Sequence, residues 1–143
     1  MADGIDQLLD HIARQYLVRD GQRTIDLDAS AADPGDQLET EKREAAAREI
    51  ERTRERRGPF EAGLRRALES TSTGEAALAL DDRVPEQDRM AEALIHTLVR
   101  TTLATSHSEP TDENHYIYRL SIDWDALRKV AGDAGVDLDE ALR

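Results

Sequence analysis

A chain of 143 residues has room for one domain of ordinary size, and its 38% apolar content argues against a large core. The absence of cysteine excludes disulfides, thiolate catalysis, iron–sulfur clusters and every cysteine-containing zinc site. The start, MADGIDQLLDHIA, lacks a basic segment followed by an uninterrupted apolar run, and no window approaches the roughly 20 apolar residues that span a bilayer. A soluble cytoplasmic protein with no membrane partner is the expectation.

Acidic side chains outnumber basic ones 31 to 19, and only Lys42 and Lys129 are lysines. Such a surface, acidic and with arginine in place of lysine, is similar to that of proteins from extreme halophiles or high-GC genomes. The imbalance disfavours contact with phosphate backbones at low salt, although in molar salt, where the Debye length is about 3 Å, only short-range contacts count. Charge is uneven: residues 1–40 sum to −6, residues 41–68 to +3 and residues 69–143 to −9. The basic segment REIERTRERRGPFEAGLRR reads as a solvated helix laced with Glu/Arg pairs.

In chain order, IDQLLDHIARQYLV places Ile5, Leu8, Leu9, Ile12, Tyr16 and Leu17 at helical spacing, with Asp3 available as a cap. RTIDLD alternates like a short strand and DASAADPGD reads as a loop. From Pro34 or Asp36 to Arg57, alanine, glutamate and arginine predict a long charged helix whose few apolar residues (Leu38, Ala45, Ala46, Ile50) make only a thin seam. Gly58-Pro59 should break it, with Pro59 in the first turn of a helix that carries Phe60, Leu64, Ala67 and Leu68 inward. A short helix from Thr73 to Leu80, capped by Ser72 or Thr73, is expected next. A longer one over 85–105 then has Met90, Ala91, Leu94, Ile95, Leu98, Val99 and Thr102 on its apolar side.

The run HYIYRLSIDWDAL, residues 115–127, holds three of the five aromatic residues of the chain. Strand periodicity puts Tyr116, Tyr118, Leu120 and Ile122 on one face and His115, Ile117, Arg119 and Ser121 on the other. An isolated strand leaves its backbone unpaired, so this one needs a neighbour. LATSHSE, across the turn PTDEN, is the nearest candidate, with RTIDLD as a third strand. Asp123 should then cap a helix with Trp124, Leu127 and Val130 facing inward, ended by Gly132 or Gly135, and Val136 and Leu138 cover the core before a last turn.

Residues 59–122 therefore run helix, short helix, longer helix, hairpin, an order that resembles a winged helix-turn-helix domain, with a recognition helix at 85–105 and a wing at 103–122. The fold class expected is mainly α with a small antiparallel β-hairpin. A winged-helix-like domain with a C-terminal helix would span 59–143, and an N-terminal helix, acidic loop and long charged helix would form an arm over 1–58, suited to homodimerisation. The resemblance implies a helix in the major groove of double-stranded DNA and a wing on the neighbouring backbone. Arg89 and Arg100 would then donate to bases or phosphates, Gln87 and His96 would add hydrogen bonds, and His107 and Arg119 would act from the wing. The same residues also read as an ordinary solvated face with local ion pairs.

Chemistry of other kinds is sparse. His107 and His115, facing each other across the hairpin near Glu109, Asp112 and Glu113, match no zinc spacing, and DLDASAADPGD lacks the calcium-loop order of ligands. There is no phosphate-binding glycine loop or nucleophile elbow. The sequence thus leads to a non-catalytic, cofactor-free DNA-binding regulator or accessory protein, or else to an adaptor that holds a protein partner on the same scaffold, the acidic C-terminal half favouring basic protein surfaces.

Overall fold

A computed structural model of the chain describes residues 4–17, 36–75, 77–112 and 114–143, with side chains described from Thr40 onward in the first long helix. The expected strand RTIDLD, most of the acidic loop and Asp3 fall outside the described residues, as does the side chain of Leu38. The fold is mainly α with one small three-stranded antiparallel sheet.

Helix α1 (Gly4–Ile12) buries Ile5, Leu8, Leu9 and Ile12, as its periodicity requires. It passes into a π-helical turn, Ala13–Leu17, whose extra residue shifts the inward face. Ala13 and Leu17 are therefore buried, while Tyr16, expected on the apolar stripe, is 40% exposed. Helix α2 (Asp36–Glu55) packs on α1 and the π turn. Ala45, Ala46 and Ile50 are half-buried, and Thr53 is buried with its hydroxyl donating to the Glu49 carbonyl at 2.9 Å.

The chain turns at Arg56, before the expected break, so Gly58 and Pro59 both lie in the first turn of α3 (Arg57–Ser72). Phe60, Gly63, Leu64 and Ala67 face the core. A Cβ on Gly63 would meet Leu94 Cδ1 at 2.9 Å, which shows how closely α3 approaches the next long helix. The short helix expected from Thr73 to Leu80 does not form. Ser72 and Thr73 instead bond back to the carbonyls of Glu69 and Ser70, and Gly74 (φ 87°) reverses the chain. Strand β1 (Leu78–Asp81) follows, with Leu78 and Leu80 inward and Ala79 outward. Its four residues alternate with period two, and pairing to the aromatic strand outweighs the helix propensity of alanine and leucine.

Helix α4 (Pro85–Leu94) starts with Pro85 at its first position and buries Met90, Ala91, Ala93 and Leu94. A second π turn, Ile95–Val99, rotates the inward set, so Thr97 and Leu98 are buried while Ile95 and Val99 are half-buried. The helix was expected to reach Thr105; it stops before Thr102, which has a φ of 63°, and Leu103 N donates to Leu98 O at 2.8 Å.

Strands β2 (Ala104–Asp112) and β3 (His115–Ile122) form the expected hairpin, with Ser106 opposite Leu120, His107 opposite Arg119 and Ser108 opposite Tyr118. The sheet order is β1–β3–β2, with Leu80 opposite Tyr118 on the other side. Among the described residues the third strand is Leu78–Asp81. Only Ala104 of β2 is buried, so the hairpin overhangs the body; Leu120 is in the core, Tyr118 and Ile122 pack on its edge, and Tyr116 is 41% exposed.

Asp123 caps α5 (Trp124–Asp133) by accepting from Ala126 N at 3.1 Å, and Asp137 does the same for α6 (Leu138–Ala141). Trp124 is half-buried, with the Arg128 guanidinium 5.9 Å from its ring centre. The core joins Leu8 and Ile12 of α1 to Phe60, Leu94, Leu120 and Leu127 in one cluster. The apolar face of α1 is therefore used inside the chain.

Candidate functional site

The six side chains proposed to meet DNA lie in different settings. Gln87, half-buried on α4, accepts from Asp81 N at 2.9 Å through Oε1 and so holds the end of β1. Arg89 is exposed and makes no hydrogen bond or ion pair with a described residue. Arg119, on the outer face of β3, donates to Glu109 at 2.8 Å, which lowers the Glu109 pKa from its ordinary value. His107 projects from the same sheet face and is exposed. His107 and His115 do not face each other, since their cross-strand partners are Arg119 and Asp112.

His96 and Arg100 are drawn together by a residue that sequence spacing does not reveal. Arg100 Nη1 donates to Glu49 Oε1 of α2 at 2.9 Å, and His96 Nε2 lies 3.2 Å from the same oxygen. That approach lacks hydrogen-bond geometry, and Nε2 is a buried polar atom with no hydrogen-bond partner among the described residues. The Arg100 guanidinium also lies 3.2 Å from His96 Nδ1. A guanidinium can only donate, so Nδ1 is the acceptor and the neutral ring carries its proton on Nε2. Burial, then the positive charges of Arg56 and Arg100, push the His96 pKa down; Glu49 pulls the other way with less effect. One turn earlier on α4, Glu92 accepts from Arg56 Nη2 at 3.0 Å, while Arg56 Nη1 bonds to Arg52 O. His96 and Arg100, in and just after the π turn that follows α4, are thus brought to Glu49 of α2.

Beside this contact lies a cleft of about 440 Å³ between α4 and the hairpin. Ala91 and Ile95 give it an apolar floor, Tyr118 forms a wall, and Asp88, Arg56 and Arg100 carry charge at its rim. The cleft is electrically graded. His96 feels Arg56, Arg100 and Arg52 around it, whereas Tyr118 has its pKa raised by burial and then by the carboxylates of Asp82 and Asp88. The Asp88 carboxylate makes no hydrogen bond or ion pair with a described residue. Tyr116, its ring centre 6.4 Å from that of Tyr118, continues the aromatic wall outward.

Glu49, Arg56, Asp88 and Tyr118 were not among the sequence candidates for a site. Tyr118 carried a strand signal alone, and Glu49 and Arg56 belonged to a helix that read as an arm. At the hairpin tip Asp81 is held at a pKa of about 2 by its hydrogen bonds with Arg83, which also reaches Asp112 at 3.5 Å. Among the described residues no group of three or more histidine and carboxylate side chains is placed to hold a metal, and no helix is long and apolar enough to cross a membrane. No protein-family model, no curated protein and no solved structure matches the chain.

Proposed function

We propose that the chain is a non-catalytic protein-interaction module on a winged-helix-like scaffold, with another protein as its partner. The observation that carries this reading is the ion pair of Arg100 with Glu49 of α2. One of the two arginines that would donate to phosphates or base edges is thereby engaged within the chain. A duplex entering this face would have to displace Glu49, whose side chain is 13% exposed, and leave it unpaired or move α2 away. The net charge of −12 opposes the same approach.

A DNA-binding regulator remains the second reading. In its favour are the order β1–β3–β2, with α4 directly before an overhanging hairpin, the exposed Arg89, without a partner among the described residues, and the exposed His107. Fluorescence anisotropy of a labelled random-sequence duplex pool, across ionic strengths from low to molar, separates the two. The module reading expects no saturable binding; saturable binding weakened by Arg89→Ala would support the second reading instead.

A further inference from the structure

Resting on the reading of the chain as a protein-interaction module, we infer that the cleft between α4 and the hairpin receives a lysine or arginine side chain from an extended segment of a partner protein. The cation lies against the rings of Tyr118 and Tyr116, with Asp88 as its counter-charge. The floor of Ala91 and Ile95 suits the methylene stem of such a side chain, which buries its carbons while keeping its charged head polar-solvated. The aromatic wall suits the head itself, because ring faces attract cations.

Charge decides between a basic and an acidic occupant. Asp88 lines the cleft beside Tyr118 and has no cation partner among the described residues, whereas Asp82, outside the cleft lining, lies 3.1 Å from His115. At the other end, the charges of Arg56 and Arg100 are met within the chain by Glu92 and Glu49. An acidic segment would meet the Asp88 carboxylate and the −9 sum of residues 69–143. Tyr116, at 41% exposure, supplies the ring surface by which a cation enters.

The test is an NMR titration of the isotope-labelled full chain with a hexa-arginine peptide, then with a hexa-glutamate peptide, at low ionic strength. The arginine peptide is expected to shift the amides of Asp88, Ala91, Ile95 and Tyr118. Asp88→Asn and Tyr118→Ala should each weaken it about fivefold, Tyr118→Phe should retain it, and Asp125→Asn on α5 should leave it unchanged. Equal weakening by Asp88→Asn and Asp125→Asn would mean diffuse attraction to an acidic surface and would overturn the site, as would a glutamate peptide that perturbs the same four residues. A duplex pool added to the same sample separates the two levels. Duplex binding overturns the module reading, whereas a silent duplex with an arginine peptide indifferent to Asp88→Asn overturns the cleft alone.

Discussion

Glu49 of α2 and Arg100, just after the π turn that follows α4, are joined by a 2.9 Å ion pair across 51 positions of sequence. This contact ties a partly exposed guanidinium to a carboxylate whose side chain is 13% exposed. Glu49→Ala is expected to cost about 1–2 kcal/mol, because it leaves a guanidinium at a partly buried interface without its acceptor. In a double-mutant cycle with Arg100→Ala, the coupling should be about 0.5–1 kcal/mol, measured by chemical denaturation. Strictly additive losses would mean that the pair does not hold α2 to α4.

His96 makes the same interface sensitive to acid. Its folded pKa lies below the ordinary 6.5, chiefly through burial and then through Arg56 and Arg100, with Arg52 adding to them and Glu49 opposing. Below pH 6.5 the unfolded chain accepts a proton that the folded chain resists, so the unfolded state holds more protons and stability falls as the pH is lowered; above 6.5 both states are neutral and the group contributes nothing. Denaturation midpoints should therefore drop on acidification below 6.5, and His96→Asn should flatten that part of the curve. The carboxylates Asp88 and Glu92 and the Tyr118 hydroxyl also face this cleft, so the comparison is between variant and parent at each pH.

The hairpin tip responds at lower pH. Asp81 is held at about 2 by hydrogen bonds from the Arg83 side chain and backbone, against an ordinary value of 3.8. Since the folded pKa is depressed, its stabilising effect is present above 3.8 and is lost as pH falls toward 2. An NMR titration of the Asp81 carboxyl carbon should place its midpoint near 2, and Arg83→Ala should move it up toward 3.8. A midpoint unchanged by Arg83→Ala would remove the arginine as the cause.

Gln87 distinguishes a structural role from a recognition role. Its Oε1 satisfies Asp81 N at the end of β1, so Gln87→Ala should destabilise the fold by about 1 kcal/mol in denaturant unfolding. Binding of any ligand, corrected for the folded fraction, should be unaffected. A variant of unchanged stability that loses binding would return Gln87 to the recognition surface.

The elements legible in the sequence are those encoded by neighbours in the chain. The stripe of Ile5, Leu8, Leu9 and Ile12, the alternation of residues 115–122 and the Asp123 cap each appear where local pattern places them. The stretch LALD was illegible because four residues satisfy helix and strand periods alike, and only the distant Leu120 and Tyr118 decide between them. The two π turns were illegible for another reason: one extra residue per turn moves Tyr16 out and Ala13 in without any marker in composition. As for the site, the α4 polar residues were found, but Glu49 and Arg56, which determine what those residues face, come from a helix that spacing assigns to an arm.

The central claim is that Arg100, just after the π turn that follows α4, stays tied to Glu49 of α2. Amide hydrogen exchange of the full chain, with and without a saturating random-sequence duplex pool, tests it most directly. The account predicts unchanged protection at residues 49–53 of α2 and at residues 92–100. Faster exchange at 49–53 together with new protection at 85–100 would show α2 leaving and the helix entering DNA, and would contradict it.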